Sequence, residues 1–537
     1  MKEFLGKSVS KGIAIGNMKY MAPKHPTVNK VTIQDTEAEI ARFEAAKKEA
    51  ISDLQKLYQS AVLKVGKQHA AIFDIHAMLL EDINFNNSIV EMISNQKVNA
   101  EYAVWTAGER LVGMFAGMED DSFQAKSADI KDISERVIRI LQGADASNEF
   151  GDEPVILLAE VLSPSETVQM DKENILSFVI RYGSAGSHTA ILARTMEIPA
   201  LVGVEFDAGD SGHLCVVDGY EGKLIVDPDE EVLKTYRSKK QADDESKSLL
   251  MELKGKENIT KSGRKIRLYA NIGKPEDLDS VFQNDADGIG LFRSEFLFLD
   301  KTDYPTEDEQ FEAYKKVVES MDGKKVIIRT MDIGADKQVD YFHLDKEDNP
   351  ALGCRAIRIC LSRPEIFKTQ LRAIYRASAY GNLSIMYPMI ISEEEVIKIK
   401  EISRSVRDEL IAEGFPIGKV EEGIMIETPA AAIISDKLAQ MVDFFSIGTN
   451  DLSQYTLAID RGNDKLDEFF DPYHPALFHL IQMVIENGHK AGIWVGICGE
   501  LGADTQMTAT FIKMGIDELS VAPGAVLSVR KAIRETE

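Results

Sequence analysis

The sequence predicts a multidomain α/β protein: a small α/β domain with an inserted helical bundle, a linker helix, and a C-terminal (β/α)8 TIM barrel. Three observations carry this. Short apolar runs before residue 22 and again after residue 143 have the strand period, and the first of them has no core of its own. Between them lies a long stretch of apolar residues at helical spacing with charges interleaved. After residue 256, eight strand-like runs alternate with amphipathic helical ones over roughly 280 residues, the pattern of a closed parallel barrel.

The chain has 537 residues, too many for one ordinary core. Hydrophobic residues make up 44% and charged residues 28%, as in globular proteins. The formal charge of −26 argues against nucleic-acid binding and against docking on anionic membranes. The four cysteines, Cys215, Cys354, Cys360 and Cys498, form no CxxC pair and no zinc spacing, which suits a reducing compartment. No apolar run spans a bilayer and the N-terminus lacks a signal-peptide core, so a cytoplasmic location is expected.

Residues 1–22 carry SKGIAIG and a strand pattern that breaks at Pro23 and Pro26. Residues 30–143 read as roughly four helices joined by short loops, including AAIFDIHAMLLED and SADIKDISERVIRIL. Over 144–227 the period returns to that of strands: PVILLAEVL, ILSFVIRYG, IPALVGV, HLCVVDG and KLIVDP. The strand in 1–22 is expected to join this later unit, which makes the bundle an insertion. Residues 228–256 are charged and helix-prone with little apolar surface, the composition of a linker helix. Residues 257–537 supply the barrel strands KIRLYANI, DGIGLFR, KVIIRTMD, LSIMYPM, EGIMIETP, DFFSIGTND, IWVGICGE and ELSVAP.

Two places carry chemistry. In GSAGSHTAILARTMEIPALVG, over 183–203, small residues leave His188 unhindered just before a predicted helix over 189–196. A helix N-terminus favours a phosphoryl group. An isolated Ser-His-Thr triplet is more often a satisfied histidine beside a turn; what shifts the reading is the second site. In a barrel, polar residues at the C-terminal strand ends do the chemistry. Arg293 and Arg329 end two strands and Arg355 follows in a loop, so three cations converge where carboxylate or phosphate is the natural guest. Glu427 and Asp451 occupy the same rim beside Asn450, and acidic residues next to an anion site suit Mg2+. Arg461 adds a further anion contact. Cys498 ends another strand, where it is inert packing or a proton donor to a carbanion or enolate.

These motifs together give the chain a family resemblance. GSHTAILART, GLFRSEFLF, IIRTMDIGADK, GCRAIRI, IETPAAA, FFSIGTNDLSQYTLAIDRGN and GICGELG resemble the enzyme I family of the bacterial phosphoenolpyruvate-dependent sugar phosphotransferase system. The resemblance implies that phosphoenolpyruvate phosphorylates His188 through Nε2, that His188 passes the group to a histidine of the phosphocarrier HPr, and that pyruvate leaves. It implies Arg293, Arg329, Arg355, Asn450, Asp451 and Arg461 as substrate contacts, Glu427 and Asp451 as Mg2+ ligands, and Cys498 as the acid that protonates enolpyruvate. It implies a homodimer through the barrel, and the acidic bundle as the dock for HPr. The loop before His188 departs from the family pattern Gly-Gly-x-Thr-Ser-His: Ser184 stands for the second glycine and Gly186 for the threonine. Two other readings are a phosphoenolpyruvate synthase or pyruvate phosphate dikinase relative and a degenerate regulatory homologue. The first would need a nucleotide-binding domain ahead of His188, and the second would be favoured by loss of an arginine, a metal carboxylate or the cysteine.

Overall fold

A computed structural model of the chain describes residues 1–22, 26–116, 121–143, 153–169, 174–183, 190, 193–194, 198–299, 301–334, 339–461 and 463–537. It divides into two compact units, Met1–Lys247 and Ser248–Glu537. His188, Ser184 and Gly186 lie outside the described residues, as does most of the helix predicted after them.

The first unit holds an eight-stranded mixed sheet. Its strands are β1 (Lys2–Leu5), β2 (Lys7–Ser10), β3 (Ile13–Met21), β4 (Val155–Ala159), β5 (Ile175–Ile180), β6 (Ala200–Val202), β7 (Leu214–Asp218) and β8 (Lys223–Val226). The order is β1-β8-β7-β3-β4-β5-β6-β2. β3 pairs in parallel with β4, Met18 opposite Ile156, and antiparallel with β7. Strands from both sides of the helical stretch therefore share one sheet, and the bundle is an insertion. Leu157, Phe178 and Val202 are buried on one face, Ile156, Val179 and Val217 on the other.

The insertion contains helices Thr36–Glu81, Ile83–Gln96, Ala100–Ala116 and Asp121–Leu141. The first runs unbroken through Gly66, a glycine that costs about 1 kcal/mol in a helix interior. The break comes instead at Asp82, whose carboxylate caps the next helix by accepting the Phe85 N–H. Phe43, Leu54, Phe73, Ile89, Val104 and Ile133 fill the bundle core. The motif histidine His76 is buried, its ring 3.2 Å from Asp129 and 3.6 Å from Asp132. Asp132 in turn accepts the buried Ser165 hydroxyl at 2.8 Å, so the AAIFDIHAMLLED and SADIKDI segments meet the α/β part of this unit. The helix Glu230–Met251 is more than a connector: Val232, Leu233 and Tyr236 pack on Ile13, Val216 and Ile225.

The second unit is a closed parallel barrel of β9 (Arg267–Ile272), β10 (Ile289–Arg293), β11 (Val326–Arg329), β12 (Leu383–Tyr387), β13 (Glu421–Ile426), β14 (Phe444–Ile447), β15 (Trp494–Ile497) and β16 (Glu518–Val521). All eight predicted strand runs form strands. Alternation sends Leu291, Ile327, Met386, Met425, Phe444 and Cys498 into the barrel, while Ile289, Ile328, Ile385 and Ile447 join the larger core that includes the surrounding helices. Phe444 stacks on Trp494 at 4.5 Å inside the barrel, and the exposed Arg267 guanidinium lies 5.2 Å from the Trp494 ring. Gly423 faces the Phe444 ring, where a methyl group has no room. The unit's two ends are tied by Arg530, which is fully buried. It donates to the Leu253 carbonyl (3.0 Å), Asn258 Oδ1 (2.8 Å) and Asp285 Oδ2 (2.6 Å). Among the described residues no helix is long and apolar enough to cross a membrane, and all four cysteines are unpaired.

Candidate active site

The C-terminal ends of the barrel strands surround a cavity of about 1170 Å³. Parallel strands place the residue after each apolar run at this mouth, which is why position alone carries so much information here. Arg293, Arg329, Arg355, Glu427, Asn450, Asp451, Arg461 and Cys498 all line it. Arg293 ends β10 and is exposed, with no ion pair among the described residues. Arg329 ends β11 and is buried, as are Arg355, Glu427 and Cys498. Asn450 and Asp451 open the helix Thr449–Leu457 after β14, and Arg461 reaches back to Asp451 at 3.4 Å.

The converging arginines do not simply await an anion. Two carboxylates that the sequence did not single out, Glu295 and Asp332, sit among them. Arg329 Nη2 donates to Glu295 at 2.9 Å and Nη1 lies 3.1 Å from Asp332. Arg355 Nη2 donates to the other oxygen of Asp332 at 2.9 Å. Glu295 also accepts the Asp332 backbone N–H at 3.0 Å. Burial works against the charge on Arg329, but Glu295 and Asp332 outweigh it and hold the guanidinium more firmly protonated. The same balance, with Asp332 as counter-charge, applies to Arg355. The available signal was spacing: Glu295 lies two residues after Arg293, and Asp332 three after Arg329. The Nε atoms of both buried arginines lack a hydrogen-bond partner among the described residues.

Glu427 follows β13. One carboxylate oxygen accepts the Met389 N–H at 2.6 Å; the other is buried with no partner among the described residues. Burial, with Asp332 and Asp451 nearby, pushes this carboxyl well above the usual range. A buried carboxylate that is crowded by like charge and has one free oxygen fits a cation. Among the described residues no group of three or more metal-ligating side chains is preformed. Mg2+ does not require one, since it binds through one or two carboxylates and completes its shell with water and substrate phosphate oxygens.

Cys498 lies just beyond β15 with its side chain in the barrel and its carbonyl held by Asn271 Nδ2 at 3.0 Å. Burial pushes its thiol up to about 12. It therefore stands protonated at neutral pH, in the form that can give a proton but not attack as a thiolate. Asn450 exchanges two hydrogen bonds with Glu500, from Nδ2 to Oε1 at 3.1 Å and from the Glu500 N–H to Oδ1 at 2.8 Å.

Comparison with known proteins agrees with this geometry. Residues 247–537 match the family model described as PEP-utilising enzyme, PEP-binding domain. Residues 5–126 match the N-terminal domain of the PEP-utilising enzymes and 151–222 their mobile domain. The chain is 42% identical to the phosphoenolpyruvate-protein phosphotransferase of Priestia megaterium over 99% of this chain and 94% of that one. It is 42% identical to the protein of the same name from Bacillus subtilis (strain 168), with the same coverage. An NMR solution structure of Enzyme I (nEIt) is similar at 34% identity and a TM-score of 0.40, covering 45% of this chain and 99% of that one. With three domain models matched in order and relatives this similar from end to end, the chain belongs to the phosphoenolpyruvate-protein phosphotransferase family.

Proposed function

We propose that the protein takes the phosphoryl group of phosphoenolpyruvate onto His188 and passes it to a histidine of HPr, releasing pyruvate. The observation that carries this reading is the barrel mouth. Four arginines, two metal-competent carboxylates, an asparagine and a protonated thiol line one cavity. That is the donor set which binding a phosphoryl-bearing carboxylic acid and protonating its enol requires. Arg293, Arg329, Arg355, Asn450 and Arg461 would bind substrate, with the Glu295–Asp332 bracket keeping the two buried guanidinia aimed at it. Bound Mg2+, held by Glu427 and Asp451, would neutralise charge on the phosphoryl oxygens. Positioning and electrostatics then account for most of the rate. His188 must be loaded at this mouth and unloaded at a second protein. The domain organisation proposed to serve both steps is 1–22 plus 144–227 around the inserted 30–143, then 228–256 and the barrel of 257–537. The acidic bundle suits a basic partner, and a homodimer through the barrel is expected from the family resemblance. The unpaired cysteines support a cytoplasmic setting.

Pyruvate release from phosphoenolpyruvate should require Mg2+ and HPr but not ATP. Chelation with EDTA should stop it and added Mg2+ should restore it. A requirement for ATP would instead favour the synthase or dikinase reading. Replacing Cys498 by Ser should lower pyruvate formation at least about 100-fold, the scale of a lost general acid, while leaving phosphoryl exchange between His188 and HPr intact. Parental pyruvate release from Cys498→Ser would remove Cys498 from the acid role.

A further inference from the structure

Inside the barrel, below Cys498, stands an acid with no assigned task. Glu518 opens β16 and is about 1% exposed. Its neighbours in register are Arg267 on β9 and Gly496 on β15. The missing side chain at Gly496 makes room for it, since a methyl there would overlap Glu518 Oε2, and a methyl at Gly290 would meet Oε1. Oε1 has no hydrogen-bond partner among the described residues. An unsatisfied buried carboxyl costs stability, so its presence calls for an explanation beyond packing.

On the other side of Gly496, β14 places Ser446 in register. Its hydroxyl is buried and, like Oε1, lacks a hydrogen bond among the described residues; it favours the Cys498 thiolate, while the thiol itself donates to the Ile447 carbonyl at 3.7 Å. Thiol, hydroxyl and carboxyl thus gather around one side-chain-free position. The charged groups acting on Glu518 are Arg267, which favours its ionised form, and Asp517, which opposes it; Tyr269 and Cys498 feel its field in turn. Burial dominates and pushes the Glu518 carboxyl well above the usual range, which favours its protonated form.

We propose that Glu518 is the proton reservoir behind Cys498, returning a proton through the Ser446 hydroxyl after the thiol has protonated enolpyruvate. The proposal rests on the reading of Cys498 as the acid. In the first step the S–H bond breaks as a C–H bond forms at the enolpyruvate methylene, leaving a thiolate. In the second, the Ser446 proton passes to Sγ while the Glu518 proton passes to Ser446 Oγ. The net result is one proton moved from carboxyl to thiolate. Water at the Arg267 end of the barrel, opposite the substrate mouth, then reprotonates the carboxylate. The substrate side can stay closed to solvent while the acid is recharged from below.

Rapid-quench measurement of pyruvate on the full chain with phosphoenolpyruvate, Mg2+ and HPr tests this. In Glu518→Gln, which keeps shape but has no acidic proton, the first pyruvate per site should form at the parental rate, since Cys498 begins protonated. Steady-state turnover should then fall at least about tenfold, the low end for losing a proton-transfer group. Phosphoryl exchange with HPr should not change. Ser446→Ala breaks the relay without touching the buried carboxyl; it slows the first turnover by the thiolate stabilisation it removes but should slow the later ones at least about tenfold more, so it carries the test should Glu518→Gln fail to fold. Steady-state turnover within twofold of the parent in the folded variant, or a first turnover slowed as much as the later ones, would overturn the reservoir. Cys498→Ser run alongside separates the two readings. If that variant forms its first pyruvate at the parental rate, the acid assignment itself fails. If it does not, and Glu518→Gln is normal, only the reservoir fails.

Discussion

Treated with labelled phosphoenolpyruvate and Mg2+, the His188→Ala protein should acquire no acid-labile phosphoryl group. No other side chain is proposed to accept the phosphoryl group from the barrel, and alanine leaves nothing to attack with. Turnover to pyruvate should fall to background, and exchange with HPr should vanish together with it. This joint loss distinguishes the nucleophile from a substrate-binding residue, whose removal spares exchange. Mass spectrometry of the parent should place the phosphohistidine at 188. Label retained on His188→Ala, or mapped to another histidine, would sink the central assignment. The same experiment addresses Ser184 and Gly186, the two departures in the preceding loop. Full labelling of the parent means that a threonine two residues before the histidine is dispensable here.

Arg329→Met should damage both the fold and the reaction. The guanidinium is the shared partner of two buried carboxylates, Glu295 and Asp332. Removing one member of a buried ion cluster strands its counter-charge, a loss on the order of 3–5 kcal/mol. The melting transition should fall accordingly. Phosphorylation by phosphoenolpyruvate should be lost in whatever fraction remains folded, while that fraction still exchanges phosphate with HPr. Asp332 keeps Arg355 as its partner, so Glu295 is the carboxylate left without a guanidinium; adding Glu295→Gln removes that stranded charge, and the double variant should regain much of its melting temperature and none of its activity. A single variant as stable as the parent would mean that the bracket does not bind its arginine as described.

How much of this could be read from the chain alone depended on whether the signal was local. Each barrel strand is a short apolar run closed by Gly, Pro or a charged residue, so all eight were legible. Strand ends gave the mouth residues because a parallel barrel converts position in a run into position in space. Glu295 and Asp332 were missed because a counter-charge identifies itself only through its partner, and Asp332 takes one of its two, Arg355, from 23 residues away. Glu518 was missed for a different reason: inside ELSV it reads as the outer end of a strand, and only the barrel's closure turns it inward. The long first helix continues through a local glycine, whereas Asp82 ended that helix with a capping carboxylate that spacing could have revealed. His188 was legible only as a nucleophile candidate, through its small neighbours and through the second site that would supply its phosphoryl group.

The buried Arg530 has a consequence for how the protein is made. Its donor contact to the Leu253 carbonyl spans 277 residues, nearly the whole second unit. On the ribosome, that segment emerges long before the residue that fastens it. At 5–20 residues per second the wait is roughly 15–55 s. Through that interval the first barrel strand has neither its β16 neighbour nor its strap, and its unpaired edge is open to other chains. The barrel is therefore a unit that can lock only after Arg530 has been made, while the unit ahead of it is already free to fold.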